Sequence, residues 1–380
     1  MSTPRIAIFY DWLNQWGGAE KVLLQLLQLY PQSELFTLVH DPHKTPWLPK
    51  NIKIHTSFLQ NLPGAKNNAQ LYTPIYDLAL ESFDFTNFDI LISTTSTQGH
   101  CLITPTSCLH LCYYHNINRH LYNPKANILL KPLLHIYKHL DLYYSTRPDH
   151  SFCNSKTVQK RIKDTYHKKA TIIHPGIDTN FFKARSNQDN LKAINALQEK
   201  YKTKLPSDYY LSVSRLVPHK KVDLTLKACL SLNKHLIIIG QGREGDYLKK
   251  LSSSSKNIIF LSSVNDSELL TLYQNAKALI CPQLEDFGLT PIESLATGTP
   301  TIALNKGGYT ETLNSKVALL FPQQTLDDLK SAILEFEQKI QQNYFKKELC
   351  RQQSLKFSEG KFMLHFNQAL AKLWPTTQAK

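Results

Sequence analysis

Residues 208–321 repeat one pattern. A run of four to six apolar residues leads into a turn and a helical stretch, and the cycle starts again: "DYYLSVSRL", "HLIIIGQG", "NIIFLSSV", "KALICPQ", "PTIALNKGG", "VALLFP". Short apolar runs alternating with helices imply a parallel sheet with helices on both faces. The first half shows the same alternation in "RIAIFYDW", "SELFTLVH", "FDILISTTS", "LHLCYYH", "HSFCNS" and "ATIIHPG". The fold class is therefore α/β, with two doubly wound, Rossmann-like domains facing across a cleft. The polar stretch 184–207 interrupts the pattern and reads as part of the domain junction. The last helix, "EGKFMLHFNQALAKLW", has a strong apolar face and lies beyond the final strand of the second domain. The boundaries follow as 1–182 plus 361–380 for the N-terminal domain and 183–360 for the C-terminal domain. A chain of 380 residues with 42% hydrophobic content can bury two such cores.

Composition excludes several classes. No apolar run approaches the roughly 18 to 20 residues that span a bilayer. The N-terminal "MSTPRIAIFYDW" reads as a first strand and not as a signal peptide, because its apolar run is short and Asp11 follows at once. A cytoplasmic location is expected, with peripheral attachment to the inner membrane face as an option. Seven scattered cysteines, with no CxxC, suggest reduced core thiols and no zinc site. The fifteen histidines are read as forming no HxxxH pair with nearby acids in metal-ligand spacing, so they add no metal site to this expectation. The charge of +14 favours phosphates, nucleic acid or anionic lipid. Its densest run is "SKTVQKRIKDTYHKKA", 155–170. On a helix, Val158, Ile162 and Tyr166 share one face, so the lysines form either a solvated surface or a contact with an anionic membrane. No aromatic-basic motif supports nucleic-acid binding.

In open parallel sheets, ligands bind beyond the carboxyl ends of the strands. The candidate residues all lie there. Gly17 and Gly18 follow the first strand, where a glycine pair is either a plain turn or a phosphate approach at a helix start. They do not form GxGxxG, so a dinucleotide site is not indicated. His115, with Asn116 and Arg119, follows "LHLCYY"; it is either structural or able to bond a sugar hydroxyl or a leaving phosphate. Arg215 and Lys220 in "SRLVPHKKVD" are either surface cations or a diphosphate clamp, a planar fork plus a point charge. Gly240 and Gly242 mark another glycine-rich strand exit.

The stretch "EDFGLTPIESLATGTPTIA" holds Glu285 and Glu293 eight residues apart. Local chemistry alone offers a capping box, with Thr290 as N-cap, Pro291 first in the helix and Glu293 third, ending at Gly298. That reading leaves Glu285 an ordinary loop acid.

Taken in order, the motifs "GGAEKVL", "SRLVPHKKVDL", "IIGQG", "FLSSVNDSELLTLYQNAKALICP" and "EDFGLTPIESLATGTPTIALNKGGYTETL" resemble the retaining GT-B glycosyltransferases of family 4, including their E-x7-E element. Within that family, "ESFDFTNFDILISTTS", "YYHNINRHLY" and "NSKTVQKRI" are similar to bacterial mannosyltransferases of O-antigen and lipopolysaccharide synthesis. Two departures, "HNIN" where proline is usual and "TQGHCL" after the fourth strand, fall on the acceptor side.

The resemblance implies roles. Glu285 would bind hydroxyls of the donor sugar. Phe287, Gly288 and Leu289 would present backbone amides to sugar and diphosphate. Glu293 would bind the ribose, and Arg215 and Lys220 would clamp the diphosphate in place of a metal. Gly17, Gly18, Gly240 and Val264 would complete the donor side, and Asn116 and Arg119 the acceptor side, with His115 near the chemistry. The implied activity is metal-independent, retaining transfer of a hexose from a nucleotide sugar, GDP-mannose before a UDP-hexose, to a lipid-linked or oligosaccharide acceptor. No cofactor and no nucleic acid is implied. The rivals are a sugar-nucleotide epimerase of the same fold and a catalytically silent sugar-nucleotide binder.

Overall fold

The structure, a computed structural model, describes residues 4–122 and 131–377. Two compact units divide the chain: Met1–Pro175 with Phe362–Lys380, and Gly176–Lys361.

The N-terminal unit has strands β1 (Ile6–Tyr10), β2 (Glu34–Thr37), β3 (Ile54–Thr56), β4 (Ile90–Thr95), β5 (Leu109–Tyr114), β6 (His150–Cys153) and β7 (Thr171–Ile172). Its helices are α1 (Gly18–Leu29), α2 (Tyr76–Glu81), α3 (Arg119–Tyr122), α4 (Lys131–Tyr144) and α5 (Lys156–Tyr166). The strands form one parallel sheet in the order β3-β2-β1-β4-β5-β6-β7. Alternate side chains of β1 go to opposite faces. Ile6, Ile8 and Tyr10 join Leu23 and Leu26 of α1, while Ala7 and Phe9 join Phe36, Leu80 and Phe85.

The C-terminal unit runs α6 (Asn187–Tyr201), β8 (Tyr210–Val213), α7 (Val222–Ser231), β9 (Leu236–Ile239), α8 (Gly245–Leu251), β10 (Ile258–Leu261), α9 (Asp266–Asn275), β11 (Ala278–Cys281), α10 (Leu289–Ala296), β12 (Thr301–Leu304), α11 (Tyr309–Thr312), β13 (Ala318–Phe321), α12 (Leu326–Gln341) and α13 (Lys347–Leu355). Its parallel sheet has the order β10-β9-β8-β11-β12-β13. The last helix, α14 (Glu359–Thr377), places Phe362, Phe366 and Leu370 in the core of the N-terminal unit.

Both sheets reverse direction of strand order once, between β1 and β4 and between β8 and β11. At such switch points adjacent strands send their outgoing loops to opposite sides and leave a crevice. The stretch 184–207, read from the sequence as junction, holds α6, which bonds to α9 of the same unit. Arg185 Nη1 donates to Thr271 Oγ1 at 2.7 Å, and Asn190 and Asn275 exchange amide bonds at 2.8 and 3.0 Å. Polar contacts hold it there, which is why its sequence carries few core residues.

Helix α5 follows the sequence reading, with Val158, Ile162 and Tyr166 buried. Helix α4 departs from the usual apolar-in pattern. Asp141 is its buried residue, accepting from the hydroxyls of Tyr122 and Tyr166 at 2.9 Å each, while Ile136, Leu140 and Tyr143 are exposed. All seven cysteines are buried and free, and no described helix is long and apolar enough to cross a membrane.

Candidate active site

The C-terminal unit's switch point is bridged by charge. Lys220, in the loop after β8, donates from Nζ to Glu285 Oε1, in the loop after β11. Gln283 Nε2 donates to the same oxygen at 3.2 Å. Both charged side chains are about one-fifth exposed, so the pair is reachable but poorly hydrated. Arg215, on the same loop as Lys220, is exposed. Thus a cation and a carboxylate 65 residues apart in sequence meet where strand order predicts a ligand.

Close backbone packing fixes the loop carrying Glu285. Gly308 N donates to Glu285 O at 2.9 Å, and a Cβ on Gly308 would come within 2.3 Å of Phe287 Cα. A Cβ on Gly307 would lie 2.3 Å from Glu285 O. The loop carrying Arg215 is held the same way. Leu216 N bonds Gln241 O at 2.8 Å, and a Cβ on Gly240 would stand 1.9 Å from Ser214 O. Gly240 and Gly242 thus let two strand exits touch. Val264 lies at the β10 exit and packs on the core.

Helix α10 begins two residues earlier than the capping box predicts. Its N-cap is Gly288 at φ 90°, with Thr290 and Pro291 already inside the helix. The left-handed backbone suits glycine, and the ring of Tyr309 lies where its Cβ would point, 2.5 Å away. The C-terminus is as read. Gly298 at φ 87° donates to Leu295 O and Thr299 N to Ser294 O, the Schellman pattern. Glu293 therefore does not cap. It is buried and accepts from Tyr273 Oη at 3.1 Å. The helix N-terminus is left with backbone amides and no side-chain cap, at Gly288 and Leu289, beside Glu285 and Lys220.

The N-terminal unit bridges its own switch point. Asp11, after β1, accepts from Thr95 Oγ1 at 2.6 Å and Ser96 N at 2.8 Å, at the end of β4. Burial raises its pKa, and the bonds from Thr95 and Ser96 oppose that shift. His115, one residue past β5, is buried; its Nε2 lies 2.8 Å from Thr94 Oγ1, and burial lowers its pKa to about 4. It is therefore neutral near pH 7. Asn116 Oδ1 accepts from Arg161 Nη1 at 3.0 Å, so one cation of the basic helix α5 turns inward. Arg119 is exposed at the start of α3. Gly17 and Gly18 start α1, where the buried Glu20 accepts from Tyr10 Oη at 2.6 Å and Gln15 Nε2 at 2.9 Å.

Sequence reading passed over Gln283, Tyr273, Asp11 and the Gly307–Gly308 pair. The signal for the last was present, a second "GG" at a strand exit. It also passed over an HxxxH pair, His135 and His139 on α4, whose Nε2 atoms are 3.0 Å apart. Asp141, the acid next in sequence, faces the interior instead.

Two parallel sheets of this order in one chain are those of the GT-B glycosyltransferase fold. Residues 193–349 match the family described as Glycosyl transferases group 1, and residues 16–181 match Glycosyltransferase Family 4. The chain is similar to the O-antigen chain mannosyltransferase RfbU of Salmonella typhimurium, 28% identical over 206 residues, 50% of this chain and 52% of that one. It is also similar to the GDP-mannose-dependent monoacylated alpha-(1-6)-phosphatidylinositol monomannoside mannosyltransferase of Corynebacterium glutamicum, 25% identical over 197 residues, 48% and 51% of the two chains. These matches span about half the length of the curated relatives. Among solved structures, Anabaena HepE in complex with UDP superimposes with a TM-score of 0.74 at 17% identity, covering 97% of this chain and 100% of that one.

Proposed function

We propose that the protein is a retaining glycosyltransferase that moves a hexose from a nucleotide sugar to a hydroxyl of a lipid-linked or oligosaccharide acceptor. Mannose from GDP-mannose is the favoured donor. The observation that carries this reading is the Lys220–Glu285 contact at the β8/β11 switch point, beside the uncapped start of α10.

The contact supplies both charges that donor binding needs. Cleaving the anomeric C–O bond builds negative charge on the departing diphosphate. Lys220, with Arg215, stabilises that charge, and the amides at the start of α10 add to it. Glu285, released from Lys220, accepts from hydroxyls of the transferring sugar. Glu293 holds the ribose. His115, being neutral, can accept or donate a hydrogen bond on the acceptor side without adding a charge. A double displacement would need a carboxylate beneath the anomeric carbon. A front-side path, in which the leaving phosphate takes the acceptor's proton, requires no such group. The mannose assignment draws support from the two mannosyltransferase relatives. Peripheral membrane attachment draws support from the exposed Ile136, Leu140 and Tyr143 and the basic α5 surface.

Thermal shift with GDP-mannose, UDP-glucose and UDP-N-acetylglucosamine, followed by product analysis with the labelled donor, tests the reading. A donor at 100 times its dissociation constant stabilises by about 2.7 kcal/mol. Retention of the anomeric configuration in a transferred sugar is expected. Release of an epimerised nucleotide sugar, or binding without turnover, counts against it. Transfer should survive EDTA, because Lys220 and Arg215 occupy the role of a divalent cation. Loss in chelator with recovery on added magnesium would refute that part.

Glu293→Gln separates ligand binding from structure. Gln can still accept from Tyr273, and no cap depends on residue 293. A charge-assisted bond is worth about 1.5 to 3 kcal/mol. Donor affinity is therefore expected to fall about tenfold or more, with the melting temperature little changed. Lower stability with unchanged affinity would confine Glu293 to its bond with Tyr273.

A further inference from the structure

Helix α4 carries two exposed histidines one turn apart, and their geometry is that of a chelate. His135 and His139 stand at i and i+4, with ring centroids 4.4 Å apart and Nε2 facing Nε2 at 3.0 Å. Residues at this spacing share one face of a helix. Two facing Nε2 atoms can share one proton as a hydrogen bond between neutral rings, or both can offer lone pairs to a metal ion. In water an exposed N–H···N bond adds little.

We propose that His135 and His139 form a surface site for a divalent transition-metal ion. Imidazole ligands select a transition-metal ion, and the distance is within reach of one. With metal–nitrogen bonds of about 2.05 Å, nitrogens 3.0 Å apart subtend about 94° at the metal. A tetrahedral centre would spread them to about 3.3 Å. Exposed rings can turn to meet either spacing, so the site suits the divalent ions that imidazole binds, Ni2+, Cu2+ and Zn2+. The two rings are exposed, so water completes the coordination shell. Lys138, next to His139 on the helix, lies over the ring of Tyr122, 5.7 Å from its centroid. It is thus turned away from the pair, and so is the buried Asp141. Among the described residues, the site is a two-imidazole chelate with no charged protein ligand.

Isothermal titration of the full chain, free of any histidine tag, with NiCl2 at neutral pH tests it. One equivalent is expected to bind. His135→Ala and His139→Ala should each weaken it at least tenfold without moving the melting temperature, since both side chains are exposed. Acid should weaken binding as protons compete for the rings. A second group of potential ligands, His100, Cys101 and Asp141, lies buried in the same unit and serves as the internal control. Binding that persists in the double His135/His139 variant, or that is lost only in Cys101→Ser, overturns the assignment. So does the absence of binding to the wild-type chain.

Discussion

Lys220→Ala is expected to lower kcat a hundredfold or more, on the order of 3 kcal/mol of transition-state stabilisation. Two effects add. In the proposed mechanism the substitution removes the cation that meets the developing charge on the leaving diphosphate. It also strips Glu285 of its counter-charge, leaving a partly buried carboxylate close to the proposed diphosphate site. Affinity for the nucleotide should therefore fall together with kcat. The ion pair is about a fifth exposed on each side and joins two loops, so the melting temperature should drop somewhat while the protein stays folded. Glu285→Gln offers the counterpart. It frees Lys220 for phosphate while weakening the grip on the sugar, so nucleoside diphosphate should bind at least as well while kcat drops. Steady-state kinetics and nucleotide titration of both variants decide the matter. A loss in Lys220→Ala of less than about threefold would make Lys220 a surface cation, and the clamp would be wrong.

The sequence made these two residues candidates but could not pair them. Lys220 and Glu285 are 65 positions apart, as Asp11 and Thr95 are 84 apart. Only the order of strands in each sheet makes them neighbours. Elements with a clean apolar run were legible, and each such run became a strand. Strand β3 was not, because Ile54–Thr56 has three residues and no apolar run. The start of α10 was misplaced for a different reason. "TPIE" is a sound local cap, but Gly288 takes the cap position with the Tyr309 ring beneath it, a contact made across 21 residues of sequence. Tertiary packing overrode the local preference. Helix α4 shows the same limit. A period of 3.6 would bury Ile136, Leu140 and Tyr143, yet the interior holds Asp141 and the hydroxyls of Tyr122 and Tyr166. A polar network that satisfies itself leaves no signature in the apolar pattern.

The second large effect concerns acid. Two buried histidines sit on or next to β5. His110, with Nε2 2.8 Å from Ser93 Oγ, has its pKa lowered by burial to about 3, and His115 to about 4. In the unfolded chain both titrate near 6.5. The unfolded state therefore takes up protons between pH 6.5 and 4 while the folded state does not, and stability falls as pH falls through that window. At pH 5 each histidine costs about 2 kcal/mol, at roughly 1.4 kcal/mol per pH unit, and the pair about 4 kcal/mol. Against a typical domain stability of about 5 to 15 kcal/mol that is a large share. Asp11 and Asp77 oppose it, since burial raises their pKa and protonation relieves them. In the C-terminal unit the lowered carboxylates Glu268 and Glu337 act with the opposite shift. Their contribution holds above the ordinary carboxylate range and fades only below it. Between pH 7 and 5 the N-terminal unit should thus weaken alone. The four tryptophans, Trp12, Trp16, Trp47 and Trp374, all lie in that unit, so intrinsic fluorescence reports on it selectively. Urea titrations followed by tryptophan emission are expected to show an N-terminal transition whose midpoint drops between pH 7 and pH 5. His110→Gln should start less stable at pH 7, having lost a fitted core side chain, but lose less on acidification. If wild type and His110→Gln lose stability in parallel, His110 is not held neutral by burial, and the acid sensitivity of this unit has another source.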